Sequence, residues 1–252
     1  MPAREALLEL RDATVRFGGH VAVDRVDLAV PPRSITGLIG PNGAGKTTTF
    51  NAITGLHPID RGSVHFEGRD ITNRSAHKRA RMGIARTFQR LEVFGSLTVR
   101  DNILFGAEVK HGWIKQRATC QRITEELLDV VGLREVADVR GDALSTGVAR
   151  LVELARALAT DPSLLLLDEP ASGLDEGETE ALGRLLCSLV EQRGLAILLV
   201  EHDVPLVMRV CETVHVLDFG SILAVGPPAR IQQDQRVLDA YLGAPGTEAV
   251  TR

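Results

Sequence analysis

The sequence predicts an α/β fold, on three observations. Short, largely apolar runs of strand length (Ile35–Ile39, Leu164–Leu167 and Leu195–Val200) recur between helical stretches, the pattern of strands buried on both faces. A glycine-rich segment, Gly40-Pro41-Asn42-Gly43-Ala44-Gly45-Lys46-Thr47, separates the first run from a helical stretch and satisfies G-x-x-x-x-G-K-[ST]. The later runs stop abruptly at Asp168-Glu169 and Glu201-His202-Asp203, which places charge at the carboxyl edge of a sheet, where such folds bind ligands.

Composition narrows the class. At 252 residues and 44% hydrophobic content the chain is long enough for one substantial domain. A net charge of −4 and a pI near 6.0 leave no electrostatic footprint for nucleic acid, and no nucleic-acid partner is expected. Cys120, Cys187 and Cys211 are odd in number and lack C-x-x-C spacing, so reduced thiols are expected rather than a disulfide framework or a zinc site. Met1 to Glu5 has no apolar signal core, and no run approaches the ~20 residues needed to cross a bilayer.

Taken in order, Leu7–Val15 and Ala22–Val30 alternate as strands. Between them Phe17-Gly18-Gly19 offers an aromatic that either stacks on a base or fills the core. Thr47 to Gly55 reads as a helix capped by Gly55. In the loop ahead of it, glycines let backbone N–H groups approach phosphate oxygens, while Lys46 reaches the β- and γ-phosphates and Thr47 ligates Mg²⁺. Asp60-Arg61-Gly62 reads as a hairpin turn before a strand at Ser63–Glu67, which ends at Gly68. The basic stretch Arg74–Arg90 reads as a solvated surface, because a stacking platform's aromatics are missing.

Leu97 to Leu144 is helical in pattern. Thr98 and Asp101 suggest a capping box, and Ile123, Leu127, Val130 and Val131 form a stripe that stops at Gly132. This block reads as an insertion, with Trp113 as a packing residue. Leu144-Ser145-Thr146-Gly147 then opens a helix carrying Leu151, Leu154, Ala155 and Leu158, with a small polar start suited either to an anion or to simple capping. At the next strand end, Asp168 is placed to anchor the metal through water and Glu169 to polarise the attacking water. A helix over Glu176–Arg193 buries Leu182, Leu185, Leu186, Leu189 and Val190. His202 leaves the following strand at the same edge, placed for a γ-phosphate. Strands at Val214–Leu217 and Ile222–Val225, a helix near Val237–Leu242 and a disordered tail over 243–252 complete the reading.

These residues together resemble the ATP-binding subunit of an ABC transporter over nearly the whole chain. Gly40–Thr47 matches Walker A, Gln89 the Q-loop, Leu144–Gly147 part of the signature, Leu164–Asp168 Walker B, Ser172–Asp175 the D-loop and His202 the switch histidine. The resemblance implies a P-loop NTPase (RecA-like) core, an N-terminal antiparallel β subdomain and an inserted α-helical subdomain at about 95–150, all within one domain over 1–242. It implies ATP and Mg²⁺ as ligands. Phe17, Gly40, Pro41, Asn42, Gly43, Ala44, Gly45, Lys46, Thr47 and Thr48 would contact the nucleotide, and Ser145, Gly147 and Asp175 would act across a head-to-tail pair. Thr47, Gln89 and Asp168 would surround the metal; Glu169, His202, Lys46 and Gln89 would carry the chemistry.

Val15–Gly19, Gly83–Gln89 and Ala240–Gly243 are similar to the ATPase subunits of branched-chain amino acid importers. That similarity implies transmembrane permease subunits, a second cassette (identical or not), a periplasmic or lipid-anchored solute-binding protein, and a peripheral place on the cytoplasmic face of the membrane. A lipid or lipopolysaccharide exporter has the same chemistry. A soluble, non-transport ABC ATPase generally needs paired cassettes or a coiled-coil insert, and neither is present. Absence of N-K-x-D disfavours a GTPase. One departure stands out: Val148 occupies the place of the usual signature glutamine. A lost neutral hydrogen bond costs about 0.5–1.5 kcal/mol, roughly threefold to tenfold if felt in the transition state, so hydrolysis is expected to be attenuated.

The adjacent carboxylates generate a prediction. Glu169→Gln retains ATP binding, measured by equilibrium titration, and loses nearly all steady-state hydrolysis; undiminished turnover would remove Glu169 from the water-orienting role.

Overall fold

The structure is a computed structural model that describes residues 6–112 and 116–242. Trp113 and the tail over 243–252 lie outside the described residues. In chain order the first elements are β1 (Leu8–Phe17), β2 (His20–Val30), β3 (Ile35–Ile39), α1 (Lys46–Thr54), β4 (Arg61–Phe66) and β5 (Arg69–Asp70). There follow α2 (Ala76–Arg81), β6 (Ile84–Arg86), α3 (Val99–His111), α4 (Arg117–Val130), α5 (Thr146–Leu158), β7 (Leu164–Asp168) and α6 (Glu176–Arg193). The last elements are β8 (Ala196–Val200), α7 (Val204–Val210), β9 (Thr213–Asp218), β10 (Ser221–Gly226), α8 (Pro228–Ile231) and α9 (Gln235–Leu242). Two compact units result, one from residues 1–76 with 196–252 and one from 77–195.

In the first unit an antiparallel sheet has the order β2-β1-β4-β5, and a second group of strands runs β10-β9-β3-β8. β3 is buried along its length and lies parallel to both β8 and β9, with Leu38 beside Val200 and Ile39 beside Val216. That register sets the loop after β3 and the chain after β8 at one edge. Of the expected turn Asp60–Gly62, Arg61 and Gly62 instead begin β4. Gly62 has φ +87°, and a Cβ there would lie 2.3 Å from the Arg11 and Asp12 carbonyl oxygens, so the glycine serves an irregularity in the β1–β4 pairing. The turn itself is Glu67–Gly68, both at positive φ, as a two-residue hairpin loop requires.

In the second unit β6 and β7 pair in parallel, Arg86 beside Leu166. α3 packs on α4 and on α5. Gly106 permits the latter contact, since a Cβ there would sit 2.4 Å from the Arg156 carbonyl oxygen. Glu125 of α4 takes ion pairs from both Arg100 and Arg134. The buried face of α4 is Cys120, Thr124, Leu127 and Leu128; of the expected stripe Leu127 and Val131 are buried, Ile123 is half-buried and Val130 is exposed. The basic stretch is not uniformly solvated either, for Arg79 is buried and the Arg86 side chain is 6% exposed. Thr98 does cap α3, accepting from the Asp101 N–H at 3.1 Å. The Asp101 carboxylate, a methylene shorter than glutamate, takes the Thr98 hydroxyl proton rather than returning to the backbone. The reciprocal capping box lies at Asp175 and Glu178. All three cysteines are free thiols.

His215, buried on β9, yields a pH prediction. Burial pushes its pKa from 6.5 down to about 4, opposed by a hydrogen bond to the Ala29 backbone. The folded-state value is depressed, so the unfolded chain takes the proton first. The stability contribution is therefore intact above pH 6.5 and is lost as pH falls toward 4. Between pH 7.5 and 5 the native chain should lose about 2 kcal/mol more than a His215→Leu variant in urea titrations; parallel pH profiles would contradict this.

Candidate active site

In the first unit the site is built on β3. Two glycines in the loop that follows are fixed by close backbone approach. A Cβ on Gly40 would lie 2.0 Å from the Leu217 carbonyl oxygen, and one on Gly45, at φ +106°, 2.5 Å from that of Ala22. Gly43, at φ +82°, faces open space, leaving its backbone accessible. Gly45 caps α1 with no side-chain hydrogen bond, so the leading N–H groups of that helix keep their capacity for an anion. Lys46 is buried, and its Nζ donates to the Gly40 and Pro41 carbonyls at 2.7 and 3.0 Å. The cation is thereby held inside the curve of the loop. Asn42, Gly43 and Thr47 are exposed, Pro41, Gly45 and Thr48 half-buried, and Ala44 buried.

His202 follows β8 and is exposed, beside a buried Glu201 and ahead of Asp203, which caps α7. The β3–β8 register brings it to the edge that carries the loop. Phe17 ends β1 at 48% exposure, so the core alternative fails. Its ring centroid is 4.5 Å from that of His57, tilted by 57°. His57 carried no signal in the sequence: only folding brings residues so far apart together.

In the second unit β7 delivers a buried Asp168, whose Oδ2 accepts from Arg86 Nη2 at 2.8 Å; the two side chains are 3% and 6% exposed. Next to it Glu169 stands at φ +50°, a conformation that costs a non-glycine residue on the order of 1–3 kcal/mol and recurs at functional sites. Its Oε2 accepts from Gln89 Nε2 at 2.8 Å, which joins two residues 80 positions apart that the sequence had singled out separately. The guanidinium of Arg86 also lies 5.0 Å from the Phe88 ring centroid.

The signature and D-loop residues meet in the same unit. Ser145 caps α5, accepting from the Val148 N–H at 3.4 Å, and Asp175 caps α6, accepting from the Glu178 N–H at 2.8 Å. A Cβ on Gly147 would come within 2.6 Å of Glu178 Oε1, and one on Gly173 within 3.2 Å of the Thr146 methyl. The two helix starts are therefore adjacent, and Ser145, Gly147 and Asp175 share one locality. Glu178, beside Gly147 and Asp175, carried no functional signal in the sequence, and Arg86, paired with Asp168, read there as surface charge.

Residues 23–172 match the family described as ABC transporter. The chain belongs to the ABC transporter family. Residues 221–247 of the cassette also match the family described as branched-chain amino acid ATP-binding cassette transporter. The cassette is 38% identical to the high-affinity branched-chain amino acid transport ATP-binding protein BraF of Pseudomonas aeruginosa, across 94% of this chain and 98% of that one. It is 35% identical to the lipopolysaccharide export system ATP-binding protein LptB of Haemophilus influenzae, across 94% and 98%. A solved nucleotide-free ATP-binding cassette from an ABC transporter superposes with a TM-score of 0.85 at 30% identity, covering 95% of this chain and all of that one. The cassette thus has the P-loop NTPase fold of an ABC ATPase, and it binds and hydrolyses ATP.

The loop geometry makes a stability prediction. Gly40→Ala sets a methyl against a backbone carbonyl that cannot rotate away, and should destabilise by about 3 kcal/mol or more. Thermal unfolding checks it; an unchanged melting temperature would show that the loop yields.

Proposed function

We propose that the cassette energises a branched-chain amino acid importer. The observation that carries this reading is the match over 221–247, a segment beyond the part that matches ABC transporters at large. The 38% identity to BraF over nearly the full length of both chains supports it. The second reading, a lipopolysaccharide exporter, is supported by the 35% identity to LptB.

The reaction follows from the residues. The loop from Gly40 to Thr48 receives the polyphosphate on backbone N–H groups, and Lys46 exchanges its loop carbonyls for β- and γ-phosphate oxygens. Thr47, Gln89 and Asp168 offer only oxygen donors, a set suited to the hard Mg²⁺ ion. That ion would neutralise phosphate charge in the transition state. Glu169 draws a proton from the attacking water, with Gln89 fixing the carboxylate's orientation. His202 steadies the γ-phosphate, and Phe17 lies against the base. Ser145, Gly147 and Asp175 engage the nucleotide of a second cassette, so ATP closes the pair by its contacts to both, and hydrolysis releases it.

Permease subunits and a solute-binding protein complete the proposed assembly, with the cassette on the cytoplasmic face of the membrane. No helix among the described residues is long and apolar enough to cross it. Phe88, Leu91, Phe94, Phe105 and Val109 are large apolar side chains exposed within the second unit, a suitable surface for permease contact.

The test is uptake. Cassette co-assembled in proteoliposomes with the permease proteins that co-purify with it should drive ATP-dependent leucine accumulation, which a Glu169→Gln cassette abolishes. Export of a lipid by the same vesicles, with no leucine uptake, would favour the second reading.

A further inference from the structure

The stretch from Thr87 to Leu97 belongs to no helix or strand, yet it carries Gln89. Its backbone is tied to two side chains of α5. Arg150 forks across consecutive carbonyls, Nη1 donating to Phe88 O at 3.1 Å and Nη2 to Gln89 O at 2.7 Å. Three residues on, Glu153 accepts the Glu92 N–H through Oε1 at 2.5 Å and pairs with Arg150 through Oε2 at 3.4 Å. The two side chains are 10% and 3% exposed. The same helix begins at Ser145 and Gly147.

We propose that Arg150 and Glu153 are positioning residues for hydrolysis, a strut by which the signature helix fixes the Gln89 loop and, through it, the Gln89–Glu169 contact. Neither residue needs to touch nucleotide. The strut makes α5 and the Gln89 backbone move together, so that whatever seats Ser145 and Gly147 also sets the aim of the Gln89 amide on Glu169. A purely structural ion pair would stabilise the fold without this link. The inference rests on the reading of Gln89 as part of the catalytic surroundings.

A double-mutant cycle in the assembled transporter separates the two. Lysine's single nitrogen lacks the rigid fork by which Nη1 and Nη2 each take a separate carbonyl, so Arg150→Lys should lower kcat for ATP about tenfold or more while KM stays within about twofold. Amide exchange over residues 88–92 should accelerate in the same variant. Because Arg150 acts through Gln89, adding Arg150→Lys to Gln89→Ala should cost little further turnover. Additive losses, a change confined to KM, or unaltered exchange would each overturn the strut while leaving Gln89's role intact. Undiminished turnover in Gln89→Ala alone would overturn both. If Arg150→Lys does not fold, Glu153→Gln, which keeps an acceptor for Glu92 but gives up the charge pair, enters the same cycle with the same expected outcomes.

Discussion

Backbone touching backbone is the constraint on which the first unit rests. The loop after β3 runs so close to the Leu217 and Ala22 carbonyls that Gly40 and Gly45 have no room for a side chain. Those carbonyls belong to β9 and β2, so the loop is clamped between the parallel strands and the antiparallel sheet. The clamp explains how a glycine-rich segment, costly to order, holds one shape. Lys46 adds to it from within, its ammonium bound to the carbonyls of the loop's own first residues. The backbone shape of the loop is thereby set by the protein's own contacts, which would limit the backbone reorganisation that the proposed polyphosphate binding requires.

In the second unit the residues of interest have structural occupations of their own. Asp168 is paired with Arg86 in a buried setting, where a lone carboxylate would be severely penalised. Ser145 and Asp175 cap the helices they begin. Glu169 holds a strained backbone and a hydrogen bond to Gln89. Each group thus satisfies the fold in addition to the role proposed for it, and no bare charge is left at these positions.

Much of this was legible in the sequence, for identifiable reasons. The alternation of buried strands with helices, the phosphate loop and its flanking strand and helix, and the charged strand ends are all local patterns, and local patterns survive in a linear reading. What was lost depends on partners distant in the chain. Asp60–Gly62 has the composition of a turn, but pairing with β1 makes Arg61 and Gly62 the irregular start of a strand. Arg79 and Arg86 look like surface charges until Asp168 and the packing around them come into view. That Phe17 is no core side chain shows only in its exposure and in its neighbour His57. Arg150 and Glu153 carry no motif, since backbone atoms of another segment are what they bind.

If Phe17 takes the place against the base proposed for it, its pairing with His57 bears on which nucleotide the cassette accepts. A phenyl face attracts any flat heterocycle and offers neither donor nor acceptor to the exocyclic groups that tell adenine from guanine. In the role proposed for it, that phenyl face by itself would discriminate little among purine triphosphates.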